Sequence, residues 1–191
     1  FDEDTELNLL LSSFDIDDDP LSYAVSEGLY ITANLSDNNL TFIPDQDFNG
    51  TETFIVTVTD GLLEALETFT ITINAVNDAP VLEAVSDVSF DEDTSGSISV
   101  SGSDIDGDDL SYSITEGTDI TASLLGSDVS FSAPLDFNGS EIFTISVSDD
   151  EYTDSQSITV TILPVNDVPL LSSIGDRNFD EDTELNLLLS S

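Results

Sequence analysis

Residues 143–162 read FTISVSDDEYTDSQSITVTI. Phe143, Ile145 and Val147 alternate with Thr and Ser, and Ile158, Val160 and Ile162 repeat the pattern after an acidic interruption. A period of two belongs to an extended strand, whose successive side chains point to opposite faces. One face is apolar and the other carries hydroxyls, which predicts two half-buried strands joined by a turn. Ser and Thr are poor helix formers but suit a pleated surface.

The same alternation extends outward. It recurs at Ile98 and Val100, at Tyr112 and Ile114, and at Val129, Phe131 and Ala133. Earlier in the chain it recurs at Phe54, Val56 and Val58 and at Phe69, Ile71 and Ile73. Turn signals separate these runs: Asp-Gly at 60–61 and 106–107, Asn-Gly at 49–50 and 138–139. The Asn-Gly pairs lie in Asp-Phe-Asn-Gly segments that read as hairpin loops, with Phe48 and Phe137 as core plugs. About six or seven short strands per unit predict an all-β fold of antiparallel Greek-key sandwiches.

The unit is defined by repetition. FDEDT begins at 1, 90 and 179, 89 residues apart each time. DID recurs at 15–17 and 104–106, DFNG at 47–50 and 136–139, and VND-x-P at 76–80 and 165–169, all at that offset. A repeat of this length is too long for a solenoid and right for a small domain. Pro80 and Pro169 stiffen linkers and bar helix through them. The expected domains are therefore 1–79, lacking its first strand; 80–168, complete, with its first strand over 81–88; and 169–191, the opening strands of a third repeat. Residues 179–191 match 1–13 letter for letter, which suggests a fragment of a longer array.

Composition narrows the chemistry. The 191 residues include 41 Asp and Glu against one basic residue, Arg177, for a formal net charge of −40. Hydrophobic residues still make up 39%, too many for a disordered acidic chain. Such a charge repels nucleic acid and anionic membranes. The absence of His, Cys and Lys removes Ser-His triads, thiol nucleophiles, Schiff bases and the usual zinc sites. No run approaches 18 apolar residues, so no spanning helix is expected. A chain without Cys fits a reducing compartment or an exported bacterial protein. What remains is carboxylate and hydroxyl chemistry, and hard cations held by oxygen.

The recurring acids gather at strand ends and turns. Asp15 and Asp17, like Asp104 and Asp106, would share one face if extended. Two carboxylates about 4 Å apart repel by roughly 4 kcal/mol at an effective dielectric of about 20. Without lysines, clustering calls for cations. Ca²⁺ takes six to eight oxygens from Asp, Glu, Asn and backbone carbonyls.

The order E-D-T, D-x-D then L-S-Y, D-F-N-G, F-x-x-x-V-x-D and V-N-D-x-P resembles the calcium-binding cadherin repeat. It is more similar still to the cadherin-like tandem repeats of bacterial surface adhesins. The resemblance implies a linear array of cadherin- or immunoglobulin-like β-sandwiches with Ca²⁺ between successive units. The intact junction would use Glu3, Asp47, Asn77 and Asp78 from the first unit and Asp104, Asp106 and Asp149 from the second. The next junction would use Glu92, Asp136, Asn166 and Asp167. Asp15, Asp17 and Asp60 would form the mirror-image half site. The linker Ala75-Val76-Asn77-Asp78-Ala79 is less acidic than its animal counterpart, so the number of ions per junction is left open.

Plainer readings stand beside these. An Asp before Gly is usually a turn residue. Asn34, Asn39, Asn49 and Asn138 fit the glycosylation sequon, which means little in a bacterial product. Paired carboxylates could serve a glycosidase, but that needs a cleft holding two unequal carboxyls. The reading that emerges is a non-enzymatic extender of an extracellular or bacterial cell-surface adhesin, made rigid by calcium. The alternative is a filament subunit in which 170–191 of one molecule completes the N-terminal domain of the next by strand addition. A carbohydrate-binding module is a minor alternative, because neither Tyr30 nor Tyr152 recurs between the copies.

Overall fold

The computed structural model describes residues 1–184 and Asn186. No helix occurs among the described residues. In the first unit one sheet is ordered β1 (Leu7–Leu10), β4 (Asn39–Pro44), β3 (Ile31–Ser36). The other is β2 (Ser22–Val25), β5 (Gly50–Thr59), β6 (Glu64–Ile73). Asp2 adds a single parallel bridge to Asn74.

The second unit repeats this plan with more strands. One sheet runs β12 (Thr121–Leu125), β13 (Asp128–Ser132), β9 (Gly96–Ser99). The other runs β11 (Ser111–Ile114), β14 (Gly139–Ser148), β15 (Thr153–Leu163), β8 (Val88–Asp91). A short pair, β7 (Val81–Leu82) with β10 (Gly102–Ser103), closes one edge. Pairing is antiparallel except where β8 lies parallel to β15.

Burial follows the alternation. Phe143, Ile145 and Val147 are fully buried from β14, on the same face of the sheet as Ile158, Val160 and Ile162 of neighbouring β15, where Phe143 pairs with Ile158. Phe131 and Val129 face them from the other sheet, and Phe131 meets Phe143 edge-on at 5.4 Å. The first unit has its own core of Ile31, Leu40, Phe42, Phe54, Ile71 and Ile73. Hydrophobic burial is thus confined to two separate centres. Acids and hydroxyls are left for the poles and outer faces.

Four local expectations differ from the structure. The Asp-Phe-Asn-Gly segments are not hairpin loops: DFNG at 47–50 carries the chain from β4 to β5, which belong to different sheets. Gly50 and Gly139 take φ of +148° and +159° there, with the rings of Phe48 and Phe137 3.1 and 3.2 Å from where a Cβ would stand. A side chain at either position would strain the backbone and crowd the ring, which would have to give by a few tenths of an ångström. Both rings do pack against their cores. Second, the first strand of the complete unit is split in two: β7 pairs only with β10, and β8 joins the sheet of β15. The Gln156 side chain accepts from the Val85 N–H at 2.7 Å in the gap between them. Third, the Asp-x-Asp segments are turns, not extended strands. Asp15 accepts from the Asp17 and Asp19 N–H groups, and Asp104 does so from Asp106 and Asp108. A short acidic side chain competes for its own backbone donors in this way. Fourth, the described residues after Leu163 form no strand. The remainder of the expected third repeat, Leu185 and 187–191, lies outside the described residues.

Candidate metal centre

The junction begins with the repeated Asp-Glu-Asp-Thr turn. Thr5 donates to the Asp2 carbonyl at 2.5 Å, and Asp4 takes φ of +56°. Aspartate tolerates this left-handed region better than most residues. The turn sends Glu3 inward and leaves Asp4 at the rim. Glu3 is only 3% exposed. Its backbone N–H donates to the Asn74 carbonyl, and its Oε1 accepts from the Val76 N–H at 2.6 Å. The other oxygen, Oε2, is buried without a partner.

Asp47 arrives from the crossover after β4, also left-handed at φ +56°. Its N–H donates to Asp4 Oδ1 at 3.2 Å. The linker brings Asn77 and Asp78 to the same place, and the β10–β11 turn of the second unit brings Asp104, Asp106 and Asp108. One carboxylate oxygen from each of Glu3, Asp78 and Asp106 lies within 4.8 Å of the other two. Asp4, Asp47 and Asp78 form a second such group, and Asp104, Asp106 and Asp108 a third. Asp78 and Asp106 belong to two groups each, so the clusters are continuous. Asp78 Oδ2 and Asp104 Oδ2 are, like Glu3 Oε2, buried without partners.

Two hydrogen bonds tie the units across this site. The Asp78 N–H donates to Asp106 Oδ2 at 2.8 Å, and the Asn77 amide donates to Asp149 Oδ2 at 2.9 Å. The only cationic side chain in the sequence, Arg177, donates to the carbonyl of neighbouring Asp176. The N-terminal ammonium of Phe1 donates to the Thr72 carbonyl. No positive charge of the chain balances the junction.

The electrostatics divide the acids. Burial and the charges of Asp47, Asp106, Asp4 and Glu3 push the Asp78 carboxyl above the usual aspartate range. Burial, with Asp104, Asp106, Asp149 and Asp109, does the same to Asp108. Asp149 goes the other way. Burial acts to raise it, but the Tyr152 N–H, the Asn77 amide and the Glu151 N–H together hold its carboxylate below the ordinary range. Asp60 is likewise held low by the Leu63 and Leu62 N–H groups.

The far pole of the second unit repeats the pattern with fewer members. Asp93, Asp136 and Asp167 form one close group. The charge of Asp136, then burial, then Glu92 and Asp93 raise the Asp167 carboxyl. Glu92, 6% exposed, uses its oxygens on the Val165 N–H and the Asn138 amide. The Asn166 amide donates to the Asp167 carbonyl. At the opposite pole of the first unit, Asp15, Asp17 and Asp60 form no close acidic group among the described residues.

Sequence reasoning gave Asp4, Asp93 and Asp108 no place among the metal ligands. The i, i+2, i+4 spacing of Asp104, Asp106 and Asp108 is a signal that could have flagged the last. It also passed over Glu52 and Glu141, which act structurally. Each gathers backbone N–H groups at the entry to β3 or β12: Leu29, Tyr30 and Ile31 on Glu52, Thr118 and Asp119 on Glu141.

The donor set is all oxygen, anionic and drawn from both units, which fits a hard divalent cation such as Ca²⁺ and not a softer metal. The orphaned Glu3 oxygen is the atom that tests this fit. A carboxylate so buried needs a partner for both oxygens, and only one is satisfied.

A sequence model described as bacterial Ig domain matches residues 1–74 and 77–161. Chitinase A of Pseudoalteromonas piscicida is 34% identical over 111 residues, covering 56% of this chain and 14% of that protein. Human protocadherin-24 EC1-2, form II, is similar with a TM-score of 0.51 at 16% identity, over 81% of this chain and 88% of that chain. An endo-fucoidan hydrolase of glycoside hydrolase family 107 is similar with a TM-score of 0.37 at 19% identity, over 86% of this chain and 27% of that chain. The protocadherin likeness is one of fold, and the matches to the two larger proteins take up a small share of their length.

Proposed function

The chain belongs to the bacterial Ig domain family, and from that premise we propose that it is a non-catalytic extender module whose tandem sandwiches are locked in line by calcium. The observation that carries this reading is the Glu3 carboxylate. It is buried, has one orphaned oxygen, and meets Asp78 and Asp106 within 4.8 Å. Three carboxylates from two units in so small a volume repel one another strongly, and a bound cation relieves that repulsion.

Glu3, Asp4, Asp47, Asp78, Asp104, Asp106 and Asp108 would hold the metal, and Asn77 and Asp149 would steady the seam beside it. A bound cation supplies the positive charge that the sequence lacks. The chain's own part is geometric. Glu3 is fixed by the Val76 N–H, Asp106 by the Asp78 N–H, and Asp149 by Asn77. Without metal these acids repel and the linker bends; with it, the two units move as one body. Affinity of order 10⁻⁴ to 10⁻³ M is expected of extracellular modules. The module would then be limp in a calcium-poor cytosol and stiff outside.

An extracellular or cell-surface setting follows from this calcium dependence, and the likeness to part of a chitinase accords with it. The parent would be a surface adhesin or fibre, with these units as spacers. The test is a calcium titration followed by small-angle scattering and thermal unfolding. The expected result is a longer, narrower particle and a higher melting temperature in millimolar calcium than in chelator. Identical scattering and melting in the two conditions would overturn the proposal.

A further inference from the structure

The two units share a loop but not its surface. At the entry to β3 and to β12 the backbone makes the same turn, clamped by Glu52 in one unit and by Glu141 in the other. Leu29 and Tyr30 of the first unit stand where the second has Thr118 and Asp119. In the crossover beside them, Asp45 and Gln46 stand where the second unit has Pro134 and Leu135. All eight residues are exposed. Only the first unit therefore sets an aromatic ring beside a carboxylate and a carboxamide.

That ring is held in place. It lies flat on the ring of Phe48, with centroids 4.9 Å apart and planes 15° from parallel. One face is covered, and at 48% exposure of the residue the other face is left to solvent. The Tyr30 N–H donates to Glu52 at 2.7 Å, and its carbonyl accepts from the Asp45 N–H at 2.7 Å. The Phe48 N–H donates to the Asp45 carbonyl at 3.2 Å, and the Phe48 ring is seated over Gly50. Ile31 pairs with Pro44, so one step outward Tyr30 stands opposite Asp45. Residues so placed keep their Cβ atoms about 4.5–5.5 Å apart, which brings the Asp45 carboxylate to the edge of the ring. The fold does not demand this tyrosine. Phe137 packs against the second core with Asp119 at the matching position.

We propose that Tyr30 is the platform of a binding site for a neutral saccharide ring, with Asp45 and Gln46 taking its hydroxyls. A pyranose presents C–H bonds on its faces and hydroxyls around its rim. Its C–H face stacks on the open face of Tyr30, and Leu29, 78% exposed, adds apolar surface alongside. The Asp45 carboxylate accepts from hydroxyls, and the Gln46 amide both donates and accepts. Because the ring is already fixed, binding orders little of the protein.

Charged ligands fit less well. The net charge of −40 repels an anionic sugar. A cation over one exposed ring gains little, and the Glu52 carboxylate behind Tyr30 is already occupied by the N–H groups of Leu29, Tyr30 and Ile31. The second unit lacks the aromatic platform and the amide, so the chain carries one such site.

This inference does not rest on calcium, so the full chain is tested in chelator. The probes are cellotriose, triacetylchitotriose, a sulfated heparin disaccharide and tri-arginine, each followed by NMR titration. At least one neutral trimer is expected to shift the ring resonances of Tyr30 and Phe48 and the amides of Asp45 and Gln46, saturating at one per chain, while the Phe137 ring stays unmoved. Tyr30→Asp matches what the second unit tolerates and is expected to weaken binding roughly tenfold or more. Tyr30→Phe keeps the ring and is expected to keep most of the affinity. Gln46→Leu also follows the second unit and is expected to weaken binding about threefold. The proposal is overturned if neither neutral trimer moves the Tyr30 ring, if Phe137 responds as Tyr30 does, or if Tyr30→Asp binds like the parent. It is equally overturned if Tyr30→Phe loses as much as Tyr30→Asp, or if the disaccharide or tri-arginine holds Tyr30 more tightly than both neutral trimers.

Discussion

Asn77 and Asp149 are joined by a hydrogen bond of 2.9 Å, the amide of one unit's linker donating to a carboxylate in the next unit's β14–β15 turn. The same Asp149 carboxylate accepts from the Glu151 and Tyr152 N–H groups, so its turn is closed before Asn77 reaches it. The bond therefore joins a linker residue to a rigid part of the second sandwich.

Asn77→Ala removes that tie without adding charge. A hydrogen bond to a charged group is worth about 1.5–3 kcal/mol, less at a half-exposed site. The calcium concentration at the midpoint of stiffening is expected to rise roughly three- to tenfold, tenfold being about 1.4 kcal/mol. Scattering at a series of calcium concentrations measures it. The melting of each unit in chelator should barely move, because Asn77 belongs to neither core.

Glu3→Gln separates charge from shape. The glutamine carbonyl still accepts from the Val76 N–H, but the buried negative charge is gone. In chelator the first unit should melt higher by a few degrees, a change of about 1 kcal/mol being about 4–8 °C for a domain of this size. In calcium the order should reverse, because the metal loses a charged ligand. A variant that melts lower in both conditions would mean that Glu3 is not strained by its neighbours.

Glu141 gives a pH dependence away from the metal centre. Burial acts to raise its pKa, but the N–H groups of Asp119, Thr118 and Ile120 prevail and hold it below the ordinary glutamate value. A carboxyl depressed in the folded state adds stability above its unfolded pKa and loses it as pH falls through the folded value. Glu141→Gln should therefore destabilise the second unit at neutral pH by about 1 kcal/mol, a hydrogen-bond figure discounted for exposure. The gap between variant and parent should close as the pH drops below the normal glutamate range. Thermal unfolding from pH 7 to pH 3 in chelator checks this.

Phe54 and Phe143 occupy equivalent seats in separate cores, and both are fully buried. Phe54→Ala and Phe143→Ala should each cost about 3–5 kcal/mol, but in different units. In chelator, hydrogen exchange of Phe54→Ala should quicken in β5 and β6 and stay slow in β14 and β15, with the reverse for Phe143→Ala. Calcium should blur this separation by coupling the units.

How much could be foreseen varies with the range of the interaction. Ile145 and Val147 announce themselves as core because alternation is local, and one buried face forces the register. The junction acids were legible as a set through their recurrence at strand ends. Which of them meet was not. Asp2, Glu3 and Asp4 are adjacent in sequence, and only the left-handed turn at Asp4 decides that Glu3 goes inward. Asp-Phe-Asn-Gly misled because Asn-Gly favours a tight turn wherever it occurs. Whether the chain then pairs with its own sheet or crosses to the other depends on the opposing core, where Phe48 and Phe137 are held.

The order of residues alone settled the strands, the repeat and the surplus of negative charge, since each depends on neighbours a few positions apart or on simple counting. The folded arrangement decided that Glu3, Asp78 and Asp106, spread over about a hundred residues of sequence, share one small volume, and that the Asp-Phe-Asn-Gly segments cross between sheets. Those outcomes depend on two separate cores and the linker between them, and no short window of sequence contains both ends of such a contact.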